Sequence, residues 1–251
     1  MKRFMLTVAY DGTAYAGFQL QKEARTIEGE LNRHLTALLG SEIHVIGASR
    51  TDAGVHAHCN VAVFDAETTI PAEKLPYALN SRLPEDIRIQ AAREVPKDFH
   101  PRHCESRKTY EYRIFSGQFP KPTKRLYTCF TYYPLSLERM QEAAAYLIGE
   151  HDFASFCAAG AVVESTVRTI YEASVEEQGE DLVIRVCGNG FLYNMVRIIA
   201  GTLMEIGRGR WEPKELKNIL SAKDRKAAGP TAPAGGLTLV KYEFIGLTER
   251  A

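Results

Sequence analysis

Gly47-Ala48-Ser49-Arg50-Thr51-Asp52-Ala53-Gly54-Val55-His56-Ala57 is a polar turn set between two apolar runs, Ile43 to Ile46 before it and Val61 to Phe64 after it. Short apolar runs bounded by turn residues predict a pair of strands. Asp before Ala-Gly is ordinary turn chemistry. Asp52 therefore has two readings: it forms the turn, or the turn aims its carboxylate at a ligand. Arg50, two residues back, would lie on the same side of an extended chain and could pair with Asp52 or reach a phosphate.

Outward from that turn the first half alternates strand and helix. Phe4, Leu6, Val8 and Tyr10 have a period of two and predict a first strand, which Asp11-Gly12-Thr13 turns. Thr26 is placed as the N-cap of a helix through Leu31, Leu35, Leu38 and Leu39, ended by Gly40. Pro71 to Leu79 predicts a short helix and Ile87 to Ala92 a strand. In the second half Tyr110, Tyr112 and Ile114 alternate, and Tyr127 to Tyr133 predicts a further strand. A helix over Leu137 to Ile148 opens at Ser136 and closes at Gly149. Ile170 to Val175 and Leu182 to Val186 predict strands joined by Gln178-Gly179-Glu180. The longest helical pattern runs from Gly190 to Ile206, followed by a short helix over Pro213 to Leu220 and a last strand through Thr238, Val240 and Tyr242. The fold expected is α+β: two similar halves, 1–105 and 106–251, with antiparallel-rich mixed sheets and helices on one face. Two such halves would meet along a central cleft.

The composition, 45% apolar and 25% charged over 251 residues, is that of an ordinary soluble protein. No apolar run approaches the ~18 residues that span a bilayer, and the N-terminus lacks the apolar region of a signal peptide. The five cysteines are odd in number, scattered and free of CxxC pairs. That suits reduced thiols in a cytoplasm better than a disulfide framework or a zinc site. The formal net charge is zero, but its distribution is uneven. Arg102, Arg107, Lys108, Arg113, Lys121, Lys124 and Arg125 face only Glu105 and Glu111 in their stretch, while Glu172, Glu176, Glu177, Glu180 and Asp181 cluster elsewhere. A neutral chain with a basic face can still bind phosphates.

Three further segments could carry chemistry. Lys108-Thr109-Tyr110-Glu111-Tyr112-Arg113 sets Tyr110 and Tyr112 on one face among basic residues. Such a face either stacks bases while its cations neutralise phosphates or packs against helices as ordinary sheet. His56 and His58 share a side of a strand and Cys59 faces away, which argues against a metal site; structural or surface roles are expected of both histidines. Arg197 lies in the most apolar helical stretch. A guanidinium there either pairs with an anion or snorkels to the rim.

Taken together, several segments resemble the bacterial tRNA pseudouridine synthase A family. They are Tyr10-Asp11-Gly12-Thr13-x-Tyr15-x-Gly17-Phe18-Gln19, Arg50 to Ala57, Lys108-Thr109-Tyr110-x-Tyr112, Asp152 to Phe156, and Gly190-Phe191-Leu192-x-x-Met195-Val196-Arg197-x-Ile199-x-Gly201. Phe18 departs from the family's usual tryptophan, keeping an aromatic body and losing an indole donor. The resemblance implies isomerisation of uridine to pseudouridine at positions 38, 39 and 40 of the tRNA anticodon stem-loop, with neither metal nor organic cofactor. It implies a homodimer of two-halved α+β subunits, with tRNA as partner and no membrane. It makes Asp52 the nucleophile, acting at the sugar C1′ or the base C6, or else assisting elimination at the ribose. Tyr110 becomes the tyrosine that packs on the target base, Arg197 the partner of the aspartate, and Arg50 the arginine that fills the space of the flipped nucleotide. Lys108 and Tyr112 are expected to contact RNA.

Overall fold

A computed structural model describes residues 1–160 and 163–246. The chain divides into two compact units. One comprises Met1–Ser106 with the residues from Leu239 onward; the other is Arg107–Thr238. The first unit is therefore discontinuous in sequence, its last part following the second unit.

In the first unit the strands β1 (Lys2–Tyr10), β2 (Ile46–Gly47), β3 (His56–Ala66) and β4 (Ile87–Val95) form an antiparallel set. β1 lies between β4 and β3, and β2 pairs with β3. The helices are α1 (Ile27–Leu39) and α2 (Leu75–Asn80). Phe4, Leu6, Val8 and Tyr10 are all buried, as the period of two requires, and Phe4 stacks on Phe64 across the ladder. α1 starts where Thr26 accepts a hydrogen bond from Gly29 N, and ends at Gly40, whose φ of 72° suits a left-handed cap. It buries Ile27, Leu31 and Leu35, one stripe of its surface. The other face of the sheet is covered too: Met5, Val61 and Val63 cluster with Ala48 and Phe99.

The run Ile43 to Ile46 is not a strand over its length; only Ile46 and Gly47 pair with β3. The amides of Ile43 and Val45 are taken instead by side chains of α1, at Thr36 Oγ1 (3.0 Å) and Asn32 Oδ1 (2.8 Å). Backbone donors must find an acceptor, and here the helix supplies it in place of a ladder.

The second unit carries β5 (Ser106–Ser116), β6 (Cys129–Thr131), β7 (Gly149–Asp152), β8 (Val167–Gln178) and β9 (Asp181–Gly188). Their order is β5-β9-β8-β7, antiparallel throughout, with β6 parallel to β5. The helices are α3 (Leu137–Ala145), α4 (Met195–Gly207) and α5 (Glu215–Ala222). The last strand, β10 (Leu237–Phe244), starts in this unit and runs beside β3 in the first. Ser136 caps α3 as expected, accepting from Arg139 N, but the helix stops at Ala145 and Gly149 opens β7 instead. The strand expected over Tyr127 to Tyr133 shrinks to β6. The long helical pattern begins only at Met195, because Asn194 takes a left-handed conformation (φ 60°) just before it. From there α4 is buried almost all round, only Arg197 and Met204 being partly exposed. A Cβ at Gly201 would lie 1.9 Å from Pro230 O, so the helix rests directly on the backbone of the 228–232 loop.

Among the described residues no helix is long and apolar enough to cross a membrane.

Candidate active site

The turn that carries Asp52 is held from several sides. Ala48 N donates to Val61 O (2.8 Å) and Val55 N to Asp52 O (3.2 Å), closing the turn onto β3. Phe18 N donates to Thr51 O (3.1 Å) and Gly54 N to Tyr15 O (3.3 Å), tying it to the segment after β1. Those approaches require glycine. Gly17 sits at φ 100° where a Cβ would be 2.6 Å from Thr51 O, and a Cβ at Gly12 would be 2.0 Å from Val55 O. The segments 10–19 and 50–57 are thus one piece of structure. Burial alternates along the turn: Ser49 and Thr51 point inward, Arg50 is exposed and Asp52 is half-buried. Arg50 and Asp52 are thus the less buried residues of the stretch from Ser49 to Asp52.

Beneath the turn lies a buried polar cluster. Tyr10 Oη and Thr51 Oγ1 are 2.7 Å apart, and Asn60 Nδ2 donates to both Tyr10 Oη (3.0 Å) and Ser49 O (2.9 Å). Burial pushes the Tyr10 phenol far above its ordinary pKa, so it stays protonated. The sequence marks Tyr10 as the last apolar position of a strand and the first residue of the 10–19 motif, but not as part of a polar cluster. Asn60 was missed, although an asparagine at the head of the apolar run Val61 to Phe64 is a signal, since a buried amide must be paired.

The two histidines differ. His56 is buried, and its Nδ1 accepts from Gly12 N (3.1 Å) and lies 3.1 Å from Asp11 Oδ1; His58 is exposed. They do not share an environment because β3 carries an extra residue here: Val8 is opposite Asn60, but Tyr10 is opposite Ala57. Among the described residues no three His, Cys, Asp or Glu side chains cluster as metal ligands would. Phe18 is 1% exposed, and a Cβ at Gly47 would overlap its ring, so at this position the aromatic body serves packing.

Arg102 was read only as one charge in a basic stretch. Its Nε donates to Gly47 O (2.7 Å), at the start of the Asp52 turn. Burial lowers its guanidinium pKa, and the Arg50 charge lowers it further, which sets two cations at this edge of the first unit.

In the second unit Tyr110 and Tyr112 do lie on one face of β5, but they differ in depth. Tyr110 is 8% exposed and meets Phe191 edge-on at 5.1 Å between ring centres. Tyr112 is fully buried, and its hydroxyl donates to Pro233 O (2.8 Å). Burial raises its pKa well beyond the ordinary phenol range. The expectation that Tyr112 contacts RNA is corrected: it is a core side chain with no face left for a base. Lys108 is half-buried at the start of the same strand.

Arg197 is half-buried rather than enclosed. Its Nε donates to Ala232 O (2.7 Å) and its Nη1 to Asn194 Oδ1 (2.8 Å), while Ala232 N donates back to Arg197 O (3.1 Å). Neutral oxygens of its own unit therefore take part of the donor capacity for which an anion was expected.

The basic stretch is also less available than its composition implied. Lys121 pairs with Glu180, Lys124 with Asp181, and Arg113 with Glu111. The acids read as a separate acidic surface are in part their partners. The guanidinium of Arg107 lies over the Tyr171 ring, 4.5 Å from its centre.

A family model described as tRNA pseudouridine synthase matches residues 6–103 and 143–244. A protein named tRNA pseudouridine synthase A from Thermoanaerobacter sp. (strain X514) is 49% identical over 244 residues, covering 97% of this chain and all of that one. Those of the same name from Anoxybacillus flavithermus and Halalkalibacterium halodurans are 49% and 48% identical. They match 97% and 94% of this chain, and 100% and 90% of their own lengths.

Proposed function

The chain belongs to the tRNA pseudouridine synthase family and is an isomerase of uridine in tRNA, and we propose that it acts at positions 38, 39 and 40 of the anticodon stem-loop with Asp52 as its nucleophile. The observation that carries this reading is the Asp52 turn. It is built from two segments that meet through backbone hydrogen bonds and glycine contacts, and Asp52 stands on it half-buried. A carboxylate presented this way loses little freedom when it meets a substrate.

The reaction is an isomerisation. The N1–C1′ bond breaks, the uracil turns, a C5–C1′ bond forms, and C5 gives up its proton while N1 regains one. Asp52 acts at C1′ or at C6, or assists elimination at the ribose. The target base must first leave its stack, at a cost of a few kcal/mol. Arg50, exposed beside Asp52, fills the vacated space, with Arg102 adding charge for the phosphate backbone. Tyr110, kept edge-on by Phe191, packs on the extruded uracil, and Lys108 neutralises a nearby phosphate. Arg197 takes the part of arginine partner to Asp52 that the family resemblance implies. An arginine partner favours the ionised carboxylate that a nucleophile needs. The protein works in the cytoplasm as a homodimer.

Pseudouridine mapping of total tRNA from cells with and without the protein tests the proposal. Loss of pseudouridine at positions 38 to 40 is expected when the protein is absent. Unchanged modification there, with loss at another site, would move the target elsewhere in tRNA.

A further inference from the structure

Asn60 is 0% exposed, and its carboxamide is hydrogen-bonded at every available site. Oδ1 accepts from Ser49 N (3.3 Å) and from Val61 N (2.8 Å); Nδ2 donates to Ser49 O (2.9 Å) and to Tyr10 Oη (3.0 Å). An amide has two lone pairs and two protons to offer, and all four are used here. Tyr10 Oη continues the chain to Thr51 Oγ1 at 2.7 Å. The result is a buried relay that grips the chain at two residues just before Asp52. It holds Ser49 by its main chain and Thr51 by its hydroxyl. The Ser49 hydroxyl, also buried, makes no hydrogen bond, so the grip on Ser49 is on the backbone alone.

The relay sits where the β1–β3 ladder changes register. Val8 is opposite Asn60 and Tyr10 opposite Ala57, so His58 and Cys59 include one residue more than β1 matches. Bulges of this kind re-aim side chains beside functional sites. No apolar substitute could fill the position of Asn60 without leaving Ser49 N, Ser49 O and Val61 N to find other partners in a dry site.

We propose that Asn60 and Tyr10 are positioning residues for the isomerisation. Acting through Thr51 and the Ser49 backbone, they fix the turn so that the Asp52 carboxylate is aimed before RNA arrives. The proposal rests on the reading of Asp52 as the nucleophile. Neither residue touches substrate; both act through the turn. A misplacement of a catalytic group by ~1 Å can cost on the order of 100-fold in rate, so a relay that sets this geometry acts on the chemical step and not on RNA affinity.

The test is tritium release from tRNA labelled at uridine C5, measured under single turnover with enzyme in excess, beside tRNA affinity by filter binding. Tyr10→Phe removes one hydroxyl and keeps the ring. Thr51→Val removes its partner. Each is expected to slow release about 10-fold or more with affinity unchanged, and the double variant is expected to be no slower than the slower single. Thr51→Ser restores the hydroxyl and is expected to recover the rate. Asn60→Asp keeps the shape and loses both amide donors, and should slow release at least as much. If Asn60→Asp does not fold, the Tyr10 and Thr51 variants still decide the matter.

Wild-type rates in Tyr10→Phe and Thr51→Val would overturn the proposal. So would losses that multiply in the double variant, or losses confined to tRNA affinity. A merely structural role would lower the melting temperature of Tyr10→Phe without changing the rate of the folded fraction, and that too would overturn it. The controls separate this from the nucleophile reading. If Asp52→Asn releases tritium at the wild-type rate, the reading of Asp52 has failed. If Asp52→Asn is inactive while Tyr10→Phe runs at full speed, only the relay has failed.

Discussion

The Asp52 turn in the first unit and the start of α4 in the second hold their charged side chains by opposite means. Around Asp52 the means are polar and local. Glycines bring Gly12 and Gly17 against the turn, backbone amides close it, and a buried Asn60–Tyr10–Thr51 relay lies beneath. Around Arg197 the means are apolar and global. A helix buried almost all round is pressed on the backbone at Pro230, and Arg197 and Ala232 exchange hydrogen bonds across that contact. The lesson is that the Asp52 turn is set by hydrogen-bond geometry, whereas the helix that carries Arg197 is placed by packing. Damage to the first region should therefore show in rate, and damage to the second in stability.

Gly17→Ala should have the largest effect and the most direct bearing on this contrast. Its φ of 100° and the 2.6 Å approach to Thr51 O leave no room for a methyl group without moving the turn. A rate loss of about 100-fold per folded molecule is expected from the displaced carboxylate, read as single-turnover tritium release. A variant that folds and reacts normally would show that the turn is not set by this contact.

Gly201→Ala comes next and should act on the other axis. A Cβ there would lie 1.9 Å from Pro230 O, so helix and loop must part. A loss of about 3 kcal/mol in stability is expected, at the upper end of overpacking costs, measured by urea unfolding. Because the loop carries Ala232 O, some loss of rate should follow, but smaller than for Gly17→Ala. A rate loss with undiminished stability would reverse the contrast.

Tyr112→Phe should be the mildest. It removes one buried hydrogen bond to Pro233 O and should cost about 1 kcal/mol of stability. tRNA affinity should not change. Weakened tRNA binding in this variant would reinstate Tyr112 as an RNA contact and contradict its burial.

The same contrast explains what the sequence made legible. The strands β1 and β3 and the turn between β2 and β3 could be read because period, turn residues and apolar runs are local properties. The strand expected at Ile43 to Ile46 was wrong because its amides are captured by Thr36 and Asn32, residues of a helix that no local pattern connects to it. Tyr112 was put on the correct face of β5, but a period of two gives only the face. The depth of each residue along a strand depends on what covers it. Asn60 is a polar residue next to an apolar run, and its meaning needs Tyr10 and Ser49, which lie 50 and 11 residues away. Arg102 is bound to a main-chain carbonyl, a contact to which no side-chain motif refers. The lysines at 121 and 124 read as part of a phosphate-binding face because their partners, Glu180 and Asp181, are remote in sequence.

The measurement that bears most directly on Asp52 is tritium release from C5-labelled tRNA by Asp52→Asn, with tRNA binding followed in the same preparation. The asparagine keeps the size of the side chain and the turn, and removes the nucleophilic charge. Loss of release with tRNA affinity retained is the expected result. Release at the wild-type rate would contradict the assignment of Asp52 as the nucleophile.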